Sequence, residues 1–193
     1  MNRVAPLLLV VLLSLLLLPA QARAQPRTGT SIYVALGVGY SAPDDDSKAT
    51  GSGFYGAVEY VRPLSRWIGL RPYAGVQITS PDDEDPRCAA LGLDCEVTAK
   101  IGFVGAKLRL ALPIPYIAPY FEVGAGASVG TLRTLTPETD KEVSGVTAHI
   151  PVTLGLAFGS DHNYELAFAY LYHSSADQFD GAVAFGFSIP LKR

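Results

Sequence analysis

The sequence predicts an all-β chain, an eight-stranded antiparallel up-and-down transmembrane β-barrel. Three observations lead there. Period-two alternation recurs in eight segments after residue 30, with no sustained helical period. The connections between the segments alternate short and long. The charges follow the connections, because 14 of the 18 acidic residues fall in the four longer ones. An even strand count with tight turns at one end and longer loops at the other is the pattern of a barrel that spans an outer membrane.

The first strand, IYVALGVGY (32–40), places Ile32, Val34, Leu36, Val38 and Tyr40 on one face and Tyr33, Ala35, Gly37 and Gly39 on the other. The second (53–61) carries Glu59 on the smaller-residue face and ends at the turn RPLSR (62–66), which Arg62 and Arg66 flank. The third (67–78) carries Arg71, and the fourth (97–112) carries Lys107 and Arg109. The turn PIP (113–115) leads to the fifth strand (116–130), with Glu122. The sixth (146–158) holds His149; the turn GSDHN (159–163) joins it to the seventh (164–173), with Glu165 and His173. The eighth, VAFGFSIPL (183–191), sets Val183, Phe185, Phe187, Ile189 and Leu191 opposite Ala184, Gly186, Ser188 and Pro190. Loops 42–52, 79–96, 131–145 and 174–182 complete the chain. Tyr60, Trp67, Tyr116, Phe158 and Tyr164 sit beside the short turns, and Tyr40, Phe54 and Tyr172 lie near the longer loops, as two aromatic girdles would.

A soluble eight-stranded barrel also alternates. Its second face would be water-exposed and rich in Lys, Glu, Asp and Thr. Here that face is mostly Gly, Ala and Ser with isolated charges, which suits a narrow lumen filled by side chains. The Val/Leu/Ile/Phe face then meets lipid. The fourth strand changes parity, from Val97, Ala99, Ile101 and Phe103 to Val104, Ala106, Leu108, Leu110 and Leu112. A β-bulge near Phe103-Val104-Gly105 is expected to keep both sets on the lipid side and turn Lys107 and Arg109 inward. At this length, part of the strand is expected to project beyond the bilayer.

The amino terminus explains how such a chain is exported. Arg3 precedes an apolar run from Leu7 to Leu18, broken by Pro19 and followed by Ala22-Arg23-Ala24. The run is short for a membrane span, so residues 1–24 are predicted to be a cleaved signal peptide and 25–193 the barrel domain. Without Arg3 and Arg23 the chain carries 13 basic and 18 acidic residues, a net charge of −5, which argues against a nucleic-acid partner. Export permits a disulfide, and Cys88 and Cys95 share one acidic loop, PDDEDPRCAALGLDC. A local bridge is expected there, since two cysteines alone are a poor metal site.

Signal peptide, eight strands and acidic outer loops together resemble the small outer-membrane barrels of the opacity-protein and outer-membrane-protein-A type. The resemblance covers the whole mature chain and is one of pattern, with no specific motif. It implies a Gram-negative outer membrane, contact with membrane lipid and lipopolysaccharide, and loops open to an extracellular ligand. The end departs from the pattern: Lys192 and Arg193 follow the last strand, where many such proteins finish on an aromatic.

Parity places Glu59, Arg71, Lys107, Arg109, Glu122, His149, Glu165 and His173 in the lumen. The first tight turn brings Glu59 near Arg71, and the PIP turn brings Lys107 near Glu122. Ion pairs across a narrow lumen would satisfy these charges and block conduction, so a plugged interior is favoured over a porin-like small-solute channel. The third hairpin sets His149 opposite His173. Two imidazoles could bind a transition metal or act as a pH-dependent gate; with no third ligand by spacing, hydrogen bonding to lumen neighbours is expected and no metal or other cofactor is assigned. The acidic runs PDDD and PDDEDP match no ordered Ca²⁺ loop.

The stretch AYLYHSSADQFDG (169–181) raises one enzymatic alternative. His173 and Ser175 form a His-x-Ser pair faintly similar to the site of outer-membrane lipid A deacylases, with His173 as base, Ser175 as nucleophile and Asp177 or Asp180 orienting the imidazole. No Glu follows Ser175, and parity turns His173 toward the lumen, away from lipid. A hairpin rim is the favoured reading. The expected role is therefore structural or surface-exposed (envelope integrity, adhesion or host contact), in a monomer.

Overall fold

The computed structural model describes residues 29–83, 85–112, 114–173 and 175–191, with only the backbone of Asp83. The predicted signal peptide, its cleavage site and the Lys192-Arg193 end lie outside the described residues. Eight strands follow one another around a closed barrel: β1 (Ser31–Pro43), β2 (Thr50–Pro63), β3 (Ile68–Asp83), β4 (Glu96–Ala111), β5 (Ile117–Leu135), β6 (Asp140–Phe158), β7 (Tyr164–Tyr172) and β8 (Gln178–Pro190). All pairs are antiparallel, and β1 closes on β8 from Ser31↔Pro190 to Pro43↔Gln178. Closure leaves no free sheet edge along that seam, so backbone groups are paired within the wall, as a lipid environment demands.

The two faces separate as alternation dictates. Leu36, Val38, Phe54, Val58, Val104, Leu108, Leu154, Phe168 and Phe185 point outward and are exposed, an apolar band that only lipid would cover in a stable protein. The girdle residues Tyr40, Phe54, Tyr60, Trp67, Tyr116, Tyr164 and Tyr172 are exposed on this face. Phe158 is half-buried because it packs with Tyr164 and Phe185, ring centroids 6.0 Å away in each case. Inside, small residues such as Ala35, Ala57, Ala167, Ala169, Ala182 and Ala184 alternate with large ones, which lets a narrow lumen pack.

The expected bulge in the fourth strand is absent. The β4 registers run without a shift, from Ile68↔Leu110 to Ile78↔Lys100 on one side and from Glu96↔Leu135 to Ala111↔Tyr120 on the other. Val97, Ala99, Ile101 and Phe103 therefore face the lumen with Lys107 and Arg109, and all four are buried. The physical reason is that the loop-end half of the lumen holds an apolar cluster beside its polar groups. Tyr55, Tyr73, Leu132 and Leu171 join Ile101 and Phe103 there in one packed cluster, so an apolar residue on β4 does not mark the lipid face.

The hairpin β5–β6 is longer than the alternation suggested. Arg133↔Glu142 and Leu135↔Asp140 pair within residues assigned to a loop. A six-residue helix, α1 (Pro86–Leu91), occupies the second long loop. Asp85 caps it by accepting from the Arg87 N–H, a proline opens it, and Gly92 at φ 65° closes it. Cys88 and Cys95 are bonded to each other, with Cα atoms 5.9 Å apart, and pack with Ala49 and Val97 beneath the loop.

Candidate functional site in the barrel lumen

The lumen is built in three levels. Nearest the short turns, six charged side chains from β2, β3, β4, β5 and β7 converge. Arg71 reaches Glu59 (Nε, 2.6 Å), Glu122 (3.0 Å) and Glu165 (2.9 Å). Lys107 bridges Glu59 (2.8 Å) and Glu122 (2.7 Å), while Arg109 bridges Glu122 (2.7 Å) and Glu165 (2.5 Å). Three cations meet three carboxylates, so the buried set is neutral; each charge has at least two partners, which offsets the several kcal/mol per ion that desolvation costs. Aromatic faces complete the shell, with Arg71 4.5 Å from the Tyr33 ring centroid and Arg109 3.6 Å from that of Tyr120. The cavity left among these groups is about 10 Å³, room for about one water.

Above the charges lies an aromatic level. Tyr55 stacks on Phe103 at 5.7 Å and Tyr73 packs against the same ring at 6.1 Å. Gly126 faces this level from β5; a Cβ there would run into the Tyr73 hydroxyl, His149 Nε2 and the Val104 carbonyl, so only glycine allows the close approach.

The third level is a hydrogen-bonded polar chain. Tyr73 Oη lies 2.5 Å from His149 Nε2, and His149 Nδ1 lies 2.8 Å from Ser128 Oγ. Ser128 Oγ lies 2.9 Å from His173 Nε2, whose Nδ1 stands 3.2 Å from Asp180 Oδ2. Asp180 also accepts from Ser41 Oγ (2.7 Å) and from Gln178 Nε2 (2.9 Å), and Gln178 accepts from Thr134 Oγ1 (2.9 Å). His149 and His173 thus face each other with ring centroids 5.5 Å apart.

His173 does touch a serine and an aspartate: the aspartate is Asp180, one of the two carboxylates weighed from the sequence, but the serine is Ser128 and not Ser175. Ser175 Oγ bonds Thr147 Oγ1 at 2.6 Å, and Asp177 takes the Lys141 ammonium at 2.6 Å. Asp177 sits at φ 47° in the rim turn, where its side chain reaches across to β6. The partners of His173 are Ser128 and Asp180. Their spacing matches a nucleophile–base–carboxylate series, yet Ser128 is only 1% exposed, a placement that does not suit attack on an acyl group. Asp180 belongs to β8, not to the loop 174–182 expected from the sequence; its alternation with Gln178, Ala182 and Ala184 is the signal that could have placed it inside.

Outside the bilayer, one side chain ties three loops together. Arg87 holds Asp85 (2.8 Å), Glu138 (2.9 Å) and the Asp46 carbonyl (3.1 Å). Asp45 accepts from Thr136 (2.7 Å) and Thr139 (3.1 Å). The Arg87 guanidinium, its backbone N–H and that of Lys48 hold the Asp85 carboxyl well below the usual carboxylate range.

The barrel can be set beside solved structures. No family model matches the chain, and no curated protein matches it. The crystal structure of Neisserial surface protein A superposes with a TM-score of 0.57 at 10% identity, over 84% of this chain and 97% of that one. This is the fold of a small outer-membrane β-barrel. The attachment invasion locus protein Ail of Yersinia pestis (TM-score 0.49, 16% identity, 84% and 99% covered) and OprG of Pseudomonas aeruginosa (0.49, 10%, 87% and 99%) are further barrels that it matches. Within that fold, the barrel described here carries a disulfide-braced second loop and the three-level lumen.

Proposed function

We propose that the chain is a plugged, monomeric outer-membrane barrel, exported by a signal peptide removed after Ala24, that acts at the cell surface through loops 42–52, 79–96, 131–145 and 174–182. Its partners are outer-membrane lipid and lipopolysaccharide around the wall and an extracellular ligand at the loops, in envelope integrity, adhesion or host contact. The observation that supports this reading is the lumen itself: a neutral network of three cations and three carboxylates with room for about one water favours a closed interior. The loops are what remains, and Arg87 holds three of them in one arrangement. Planar-bilayer recordings test the plug, and single-channel steps from the folded wild type would overturn it. Cell-binding assays with each long loop shortened test the surface role; binding unchanged in every variant would remove it. Lipid A compared by mass spectrometry between cells expressing wild type and His173→Ala tests the hydrolase alternative, for which identical lipid is the expected result.

A further inference from the structure

With both imidazoles neutral, the polar chain of the third level has a single consistent direction. The Asp180 carboxylate stands 3.2 Å from His173 Nδ1, outside hydrogen-bond alignment, yet its negative charge favours the His173 proton on Nδ1 and leaves Nε2 as acceptor. Ser128 then donates to His173 and has only lone pairs left for His149, which must present Nδ1–H. His149 Nε2 is in turn an acceptor and takes the Tyr73 hydroxyl. Every link points toward Asp180.

We propose that Tyr73, His149, Ser128, His173 and Asp180 form an acid-sensitive switch, in which a first proton reverses the chain and a second breaks it at Ser128. The first proton binds at His149 Nε2; the Nδ1 proton of His149 passes to Ser128 Oγ and the Ser128 proton passes to His173 Nε2. Each N–H or O–H bond broken is matched by one formed, and the added charge rests on His173 against Asp180. Tyr73 now accepts where it had donated. The second proton takes the remaining acceptor, His149 Nδ1. Ser128 then faces an N–H donor on both sides and two imidazolium rings in contact, with one carboxylate between them.

The surroundings offer no other relief. Tyr73 faces the pair from β3, and Lys107 from β4 lies beyond it, 5.4 Å from the Tyr73 ring centroid. The nearest titratable group of β2 is Tyr55, behind Phe103, and β1 presents the neutral Ser41. β5 contributes Ser128, and β8 contributes Asp180 with the neutral Gln178. At the rim, Lys141 of β6 is paired with Asp177. The wall is also weakest here. Pairing of β6 with β7 begins at Ile150↔Tyr172, so among the described residues Asp140–His149 of β6 has a strand partner on the β5 side alone. A repelled His149 can move without breaking a β6–β7 ladder.

The test uses the full-length protein folded in lipid nanodiscs. Nitrogen NMR of the imidazoles at about pH 7.5 should show His149 and His173 both as Nδ1–H tautomers. Hydrogen exchange of the amides from 143 to 149, compared with a reference peptide at each pH, should keep its protection at neutral pH and lose it in acid, below the ordinary imidazole range. His149→Gln, which can still donate to Ser128 but takes no second proton, should keep its protection, and Asp180→Asn should lose it at higher pH. Nε2–H tautomers at neutral pH, or equal acid loss in wild type and His149→Gln, would overturn the proposal. Should a variant fail to show heat-modifiable mobility, the wild-type tautomers and exchange decide alone.

Discussion

Arg71 has three carboxylate partners and is 1% exposed, so its removal is the most costly single change in the lumen. Arg71→Met keeps much of the volume but strands Glu59 and Glu165 beside fewer cations. A loss of about 3–5 kcal/mol is expected, the range for breaking a buried pair from one side, read from urea unfolding in vesicles. Loss below about 1 kcal/mol would mean that water enters the network. Gly126→Ala acts by contact rather than charge: the added methyl must push Tyr73 and His149 apart, because Val104 backbone closes its other side. Strain of about 1–3 kcal/mol is expected, together with loss of the Tyr73–His149 hydrogen bond in NMR. A variant as stable as wild type, with that bond intact, would show that the wall gives way locally.

At the scale of elements, loop 2 is held by two devices of different chemistry. The disulfide closes Cys88 to Cys95, and Asp85 caps α1 while receiving Arg87. The folded Asp85 carboxyl lies below its unfolded value, so its contribution is fully present above the ordinary carboxylate range and is lost only as pH falls through the lower folded value. Proteolysis of loop 2 is therefore expected to be unchanged between about pH 7 and about pH 5 and to rise only in strong acid, whereas Arg87→Ala should shift the rise to higher pH. A rise already at about pH 5 in the wild type would contradict the assigned partners. The elements also show what was legible. Strand faces follow from alternation wherever one face is small, as in β1 and β8. β4 misled because Val97, Ala99, Ile101 and Phe103 look like a lipid face, while the lumen they fill is apolar only through residues of other strands, Tyr55 and Leu132 among them. Thr131 to Leu135 and Asp140 to Gly145 read as loop because polar residues dominate them, and Leu132 and Val143, which do face inward, are too few to show the alternation. Parity with Glu122 puts Ser128 in the lumen, but its role was not legible, because it depends on two histidines from other strands.

For the whole molecule, the proposed plug would consist of three lumen levels in series. An ion entering from the short-turn end finds a mouth cavity of about 120 Å³ around Trp67, Arg109 and His162, then the charge network, then the Tyr55–Phe103 stack, then the polar chain under the loops. Removing one level leaves two. The neutral-by-design double variant Arg71→Ala, Glu165→Ala opens the first level without leaving an unpaired charge of either sign. It should lower unfolding stability yet remain silent in planar bilayers, since the aromatic level is built from residues it does not touch. Stable conductance from that variant would show that the charge network is the sole barrier and that the upper levels are loosely packed. Silence from it, combined with conductance after Phe103→Ala is added, would place the tightest constriction at the aromatic level, where an eight-stranded barrel with ordinary side chains has no width to spare.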